Sequence, residues 1–239
     1  MLAYTKPKIV ILDDDPALLD VMNYYFTKQF QNTVLLKVFS KSQDFTLYIE
    51  EHCYLPESPS DILNVFYADT INKECISKTL KDLSELSAII ILDQELRGEE
   101  ITGIDLSVTI REYFPASYIS MLTSNVPNNK AIELHNNHNI DLFVDKKELN
   151  AIHNLYTYLA KYLDMMKNDY MIDSLDIFEQ AGNLDSKEYL FNKNILIEKN
   201  NPSCFLTLNE HGDIAMMQEN KHISYWQFNP NTKQFIEYE

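Results

Sequence analysis

Short apolar runs alternate with amphipathic patterns over the first two thirds of the chain. The run from Ala88 to Leu92 is continuously apolar, as is typical of a strand buried on both faces of a parallel sheet. The predicted strands are Lys8 to Leu12, Thr33 to Phe39, Ala88 to Leu92, Tyr118 to Leu122 and Leu142 to Val144. The first predicted helix begins at Pro16. The other predicted helices are Ser42 to Glu51, Ile104 to Phe114, Asn128 to Asn136 and Glu148 to Met166. This alternation predicts an α/β fold with a doubly wound, five-stranded parallel sheet.

One segment interrupts the alternation. Residues Cys53 to Ser87 separate the second predicted helix from the third strand, and this is far longer than a usual helix-to-strand connection. The segment contains a strand-like run at Asn64 to Tyr67 and a helical pattern at Cys75 to Leu86. We therefore predict an insertion with its own small structure.

The pattern changes after Lys167, where short apolar runs are separated by turn-forming residues. This pattern is typical of an antiparallel meander. The predicted strands are Ile195 to Glu198, Cys204 to Leu208, Ile214 to Gln218, Ile223 to Phe228 and Gln234 to Tyr238, after a helical stretch at Ile172 to Gln180. We expect two domains: residues 1–167, including the insertion at 53–87, and a small β-rich C-terminal domain at residues 168–239.

The charge of the chain narrows the classes of partner. Thirty-six acids against twenty bases among 239 residues give a net charge of −16, which is unfavourable for binding nucleic acid. No apolar run is long enough to span a membrane, and the N-terminus lacks the features of a signal peptide, so we expect a cytoplasmic protein that binds no membrane. The three cysteines form no CxxC pair, and the four glycines form no common nucleotide-binding loop.

Polar residues follow the predicted strands at the edge where parallel sheets bind ligands. The first strand ends in Asp13 and Asp14, the third in Asp93 and the fourth in Thr123, and Lys146 follows the fifth. Clustered carboxylates need a counter-charge, and Mg²⁺ prefers such hard oxygen ligands. A lysine opposite the metal can hold a phosphoryl group that an aspartate nucleophile accepts. Without the other groups, the acids after the first strand would equally suit a solvated helix start.

Four segments together resemble the receiver domain of two-component response regulators, over about residues 7 to 165. Each lies at the end of a predicted strand, and their order matches that of the family: IVILDDDP (9–16), IIILD (89–93), SMLTS (120–124) and FVDK (143–146). The resemblance implies a flavodoxin-like fold, a phosphoacceptor at Asp93 and a Mg²⁺ ion held by Asp13, Asp14 and Asp93. It also implies a metal ligand in the backbone carbonyl of Glu95.

Further roles follow from the same resemblance. Thr123 matches the switch hydroxyl, Lys146 matches the lysine that contacts the phosphoryl group, and Phe143 falls where the family has an aromatic that rotates on activation. Glu95 and Asn125 occupy positions that tune the phosphoryl lifetime. Lys147 is a neighbouring alternative to Lys146, but the register of FVDK favours Lys146.

The loop after the third strand departs from the family pattern. Arg97 stands where the family usually has a proline, and the glycine expected eight residues after the acceptor comes two residues later, as Gly103. In addition, Lys147 stands where many members of the family have a proline. These departures concern the shape of the loop and remove no reactive group.

The resemblance implies a response regulator of a bacterial two-component phosphorelay, rather than an enzyme with steady turnover. Its partners would be a histidine kinase or phosphotransfer protein and a downstream protein, with a phosphorylation-dependent homodimer as a further option. Nucleic acid is disfavoured because residues 166–239 contain no arginine and only dispersed lysines. The alternative is a Mg²⁺-dependent phosphatase of haloacid-dehalogenase type, whose nucleophile lies on the first strand in an Asp-x-Asp pattern like that of Asp13 and Asp15.

Overall fold

The computed structural model describes residues 3–53, 72–85, 88–114, 117–124, 133–165, 171–172, 184 and 186–238. The chain forms two compact units. One unit, called here the receiver unit after the sequence resemblance given above, comprises Pro7–Leu55 and Ser87–Met165. The other, called the composite unit, combines three segments of the chain: Met1–Lys6, Pro56–Leu86 and Met166–Glu239.

The receiver unit is built on a five-stranded parallel sheet. Its strands are β2 (Lys8–Leu12), β3 (Leu35–Phe39), β4 (Ala88–Asp93), β5 (Tyr118–Thr123) and β6 (Leu142–Asp145), in the spatial order β3-β2-β4-β5-β6. Its helices are α1 (Pro16–Phe30), α2 (Ser42–His52), α4 (Gly103–Tyr113) and α5 (Ala151–Met165). This confirms the predicted doubly wound parallel sheet. Of the helix predicted at Asn128 to Asn136, residues 133–136 are helical, and residues 128–132 lie outside the described residues.

Successive side chains of the central strands lie on opposite faces of the sheet, which explains why helices cover both faces. Ile9 and Ile11 of β2 pack with α1 and α5, whereas Val10 and Leu12 pack with α2 and α4. All four side chains are fully buried. The continuous apolar runs seen in the sequence therefore supply two separate core layers.

The composite unit is built on a six-stranded antiparallel sheet. Its strands are β1 (Ala3–Thr5), β7 (Met171–Ile172), β8 (Cys204–Thr207), β9 (Ile214–Met217), β10 (Ile223–Asn229) and β11 (Gln234–Tyr238), in the order β11-β10-β9-β8-β1-β7. Its helices are α3 (Lys73–Glu85) and α6 (Lys187–Asn200). The last four strands confirm the predicted meander. The strand-like run at 64–67, and residues 173–180 of the predicted helix before the meander, lie outside the described residues; Ile172 itself is in β7.

The predicted division into residues 1–167 and 168–239 needs correction, because Met1–Lys6 and Pro56–Leu86 also belong to the composite unit. β1 pairs between β7 and β8, inside the C-terminal sheet. Leu80 and Leu83 of α3 pack with Cys204, Leu206 and Met217 of the same sheet. The insertion is thus no separate structure: in its described part, it supplies a helix that buries one sheet face, because the apolar stripe of α3 matches the apolar residues of that face.

The strand predicted at Ile195 to Glu198 is wrong, because these residues lie in α6. The hydroxyl of Ser186 accepts a hydrogen bond from the Tyr189 amide at 3.2 Å and caps the start of the helix. Asn201 ends the helix in the left-handed conformation, with a φ of 44°. Buried Tyr189 and Leu196 lie seven residues apart, a helical spacing, and α6 covers the sheet face opposite α3.

Among the helices in the described ranges, none has the length and apolar character needed to cross a bilayer.

Truncation of Leu80 in α3 should destabilise the composite unit. Leu80 is fully buried, and Leu→Ala substitutions at such positions cost about 2–5 kcal/mol. Trp226, the one tryptophan of the chain, lies in β10 of this unit and reports its unfolding. We expect Leu80→Ala to lower the denaturant midpoint of Trp226 fluorescence, and Lys78→Ala, an exposed substitution on the same helix, to leave it unchanged. Equal midpoints for Leu80→Ala and wild type would contradict the assignment of α3 to this unit.

Candidate functional site

The carboxyl ends of neighbouring strands bring the predicted site residues to one edge of the receiver sheet. Asp13 directly follows β2, Asp93 ends β4 and Thr123 ends β5. β4 pairs in register with β2 on one side, and with β5 on the other, where Asp93 lies opposite Leu122. Lys146 directly follows β6, and its amide donates to the carbonyl of Thr123 at 2.8 Å. The parallel order of the strands therefore converts four distant sequence segments into one site.

Three carboxylates form a compact cluster. One oxygen each of Asp13, Asp14 and Asp93 lies within 4.8 Å of the others. The ammonium of Lys146 lies 2.6 Å from Oδ2 of Asp13 and 2.7 Å from Oδ2 of Asp93. Since the Asp13 and Asp93 side chains are 2% and 7% exposed, their charges are largely removed from water and need this counter-charge.

Backbone hydrogen bonds orient the acids that follow β2. The amide of Asp13 donates to the carbonyl of Phe39 at 3.1 Å, and its carboxylate accepts from the amide of Asp15 at 3.0 Å. The carboxylate of Asp15 accepts from the Ala17 amide at 2.9 Å and caps α1. Asp13 and Asp14 thus belong to the cluster, whereas Asp15 serves the helix start.

The environment shifts the protonation of Asp93 and Lys146 in different ways. Burial raises the pKa of Asp93, and the nearby negative charge of Asp13 raises it further, against the opposing hydrogen bonds from Lys146 and the Glu95 amide. Burial acts to lower the pKa of Lys146, but its hydrogen bonds to Asp13 and Asp93, together with the negative charges of both carboxylates, leave this pKa raised. Lys146 is therefore held in its cationic form beside the two carboxylates.

Thr123 and Phe143 occupy the positions predicted for them. Thr123 is buried, and its hydroxyl donates to Oε1 of Gln94 at 3.4 Å, which is a long hydrogen bond. Phe143 is partly buried and packs against the core layer that includes Leu92 and Met121. These contacts locate both side chains, and their predicted switch roles stay predictions.

Glu95 and Asn125 are two further residues of the predicted site. The amide of Glu95 donates to the Asp93 carboxylate, and the metal-binding role of the Glu95 carbonyl stays a prediction. Asn125 lies outside the described residues. Of the two adjacent lysines, Lys146 contacts the cluster, and the Lys147 amide donates to Asp145 at 2.8 Å.

The loop after β4 contributes contacts that sequence reasoning missed. A Cβ atom at Gly103 would lie 1.9 Å from the carbonyl oxygen of Asp93, so only glycine fits beside the end of β4. The Gly103 amide also donates to the carbonyl of Gln94 at 3.0 Å. The displaced glycine noted in the sequence therefore packs directly against the backbone of Asp93. Because the chain has only four glycines, a glycine close after the acceptor was the sequence signal for this contact.

The same loop reaches two other parts of the receiver unit. The carboxylate of Glu99 accepts from the amide of Ser42 at 3.0 Å, at the start of α2, where Lys41 makes no side-chain cap. The amide of Arg97 donates to Oδ2 of Asp14 at 3.3 Å. The longer loop is thus fastened both to α2 and to the acidic cluster.

The donor set suits a divalent cation. Three carboxylates carry three negative charges, and Lys146 offers one positive charge to two of them. Mg²⁺ takes one or two carboxylates and keeps several waters, so Asp13 and Asp14 could hold it while Asp93 stays available. The chemistry of these side chains therefore fits the predicted metal.

No protein-family model and no curated protein matches the sequence. Among solved structures, a CheY-like receiver domain protein from Methanospirillum hungatei JF-1 matches with a TM-score of 0.45 and 15% identity, over 68% of this chain and 98% of its own. The response regulator LqsR of Legionella pneumophila matches with a TM-score of 0.47 and 16% identity, over 94% of this chain and 66% of its own. The signal receiver domain of a putative Luxo repressor protein from Vibrio parahaemolyticus matches with a TM-score of 0.46 and 16% identity, over 69% of this chain and 95% of its own.

The strand order of the sheet defines the fold. Numbered within the receiver unit, its strands follow the order 2-1-3-4-5, which defines the flavodoxin-like class of doubly wound folds. The described strands and helices between residues 7 and 165 therefore have a flavodoxin-like, doubly wound fold.

Proposed function

We propose that this protein is a response regulator that accepts a phosphoryl group on Asp93 from a histidine kinase, a phosphotransfer protein or a small phosphodonor. The observation that carries the proposal is the ammonium of Lys146 between the buried carboxylates of Asp13 and Asp93. A structural ion pair would need one acid. A second and third acid beside it suit a site that takes up a metal and a phosphoryl group.

In the proposed reaction, an oxygen of Asp93 attacks the phosphorus of the donor. A bond forms between this oxygen and phosphorus, while the bond from phosphorus to the donor's nitrogen or oxygen breaks and leaves its electron pair on the donor. Lys146, now 2.7 Å from Asp93, is close enough to move onto a phosphoryl oxygen. Bound Mg²⁺ would neutralise charge on the transferred group, with Asp13, Asp14 and the Glu95 carbonyl as ligands.

The hydroxyl of Thr123 would link the chemistry to a conformational change. Its long 3.4 Å hydrogen bond to Gln94 is weak, so a charged phosphoryl oxygen would be a stronger acceptor. Movement of Thr123 toward the phosphoryl group would let Phe143, one strand away on β6, repack at the edge of the core. Phosphorylation would thus shift a two-state equilibrium.

The proposed output is a protein partner rather than DNA, and the protein acts in the cytoplasm. Residues 166–239 contain twelve acids, six lysines and no arginine, so electrostatic attraction to a phosphate backbone is unfavourable. A downstream protein or a second copy of this chain would read the switched surface of the receiver unit.

Phosphorylation should depend on Asp93. We expect one phosphoryl group on the wild-type protein after incubation with acetyl phosphate and Mg²⁺, measured by intact mass, and none on Asp93→Asn. Asp20→Asn is the matched control, because Asp20 lies exposed on α1 and should label like wild type. Equal labelling of Asp93→Asn and wild type would contradict the role of Asp93.

The phosphatase alternative predicts a different kinetic outcome. It needs Asp13 as nucleophile with Asp15 as its partner, but the Asp15 carboxylate is engaged in capping α1. We therefore expect no steady, Mg²⁺-dependent hydrolysis of p-nitrophenyl phosphate beyond the level of a protein-free blank. Continuous turnover that Asp13→Asn abolishes and Asp93→Asn retains would favour the phosphatase.

A further inference from the structure

We propose that Arg97 lowers the affinity of the site for Mg²⁺ by competing with the metal for Asp14, a regulation that rests on the metal site of the proposed function. Two donors of Arg97 approach the same carboxylate oxygen. The backbone amide lies 3.3 Å from Oδ2 of Asp14, and the guanidinium Nε lies 3.8 Å from it. Asp14 thus has a cationic partner of its own, separate from Lys146.

The two cations divide the three carboxylates between them. Lys146 contacts Asp13 and Asp93, and Arg97 contacts Asp14. A metal that binds Asp13 and Asp14 must take an oxygen from Asp14 and displace or repel the guanidinium. Binding of Mg²⁺ is therefore opposed by the loss of one ion pair and by the positive charge of Arg97.

The loop holds Arg97 at this position from both sides. The amide of Glu99 donates to the carbonyl of Leu96 at 3.2 Å and closes a turn with Arg97 and Gly98 at its tip. Gly98 has a φ of 79°, as the third position of a type II turn requires. Leu96 is buried, and the Glu99 carboxylate binds the amide of Ser42, so both ends of the turn are anchored.

The side chain of Arg97 is free to leave Asp14, because it is 91% exposed whereas Asp14 is 18% exposed. Its displacement therefore costs little packing, and its removal by mutation should leave the fold intact. The guanidinium acts on the metal site through charge and through Asp14, and it touches no reacting atom. It is a residue that sets the metal occupancy at which phosphorylation can begin.

The test is a titration of the full chain with Mn²⁺, a stand-in for Mg²⁺, in which electron paramagnetic resonance counts the free ion. We expect Arg97→Ala to bind Mn²⁺ about threefold to tenfold more tightly than wild type, because a competing cation is lost. Lys161→Ala removes the same charge from an exposed position near the end of α5 and should change the affinity little. Arg97→Lys keeps the charge and should bind nearly like wild type.

A second pair of variants shows whether Arg97 changes the Mn²⁺ affinity through Asp14. In Asp14→Asn, the further change Arg97→Ala should have a much smaller effect on Mn²⁺ affinity. Unchanged or weaker binding by Arg97→Ala, with clear binding by wild type, would overturn this inference and leave the proposed function standing. Absence of binding by every variant would overturn both.

Discussion

The receiver unit depends on the balance between buried carboxylates and the ammonium of Lys146. Asp13 and Asp93 are fixed at the ends of adjacent strands, so the sheet forces two like charges together in a nearly dry place. Lys146, which follows the end of β6, supplies the positive charge that offsets this repulsion. Negative charge stays in excess, and burial keeps the pKa of Asp93 raised against the opposing hydrogen bond from Lys146. The site is thus held together by charges that a metal and a phosphoryl group can rearrange.

The second constraint is the way in which the two units share the chain. β2 begins three residues after β1 ends, and β4 begins three residues after α3 ends, so both strands that lead to the acids directly follow elements of the composite unit. Within the composite unit, the ammonium of Lys6 donates to Oδ1 of Asn201 at 2.5 Å. Within the receiver unit, the ammonium of Lys8 donates to the carbonyl of His52. The chain is therefore anchored on both sides of Pro7, and neither unit can be excised as one continuous segment.

The sequence was sufficient to predict the receiver sheet and the convergence of Asp13, Asp14, Asp93 and Lys146, because parallel strands present their carboxyl ends at one edge. The sequence was insufficient to predict tertiary partners, because a pattern of apolar residues shows that a surface is buried but not which element covers it. The apolar stripe of α3 predicted a helix, but β8 and β9, against which it packs, lie more than a hundred residues later in the chain. Three consecutive apolar residues at 195–197 resembled a strand, although Ser186 and Asn201 carry the capping signals of a helix. The contacts of Arg97 and Glu99 depend on tertiary placement of a loop, which no local pattern specifies.

The most direct test of the central claim is to locate the phosphoryl group in the chain. After incubation with acetyl phosphate and Mg²⁺, borohydride reduction converts an aspartyl phosphate to homoserine, which peptide mass spectrometry assigns to a position. We expect homoserine at position 93 alone, and only when Mg²⁺ is present. Homoserine at position 13, or at no position in a protein that binds the metal, would contradict it.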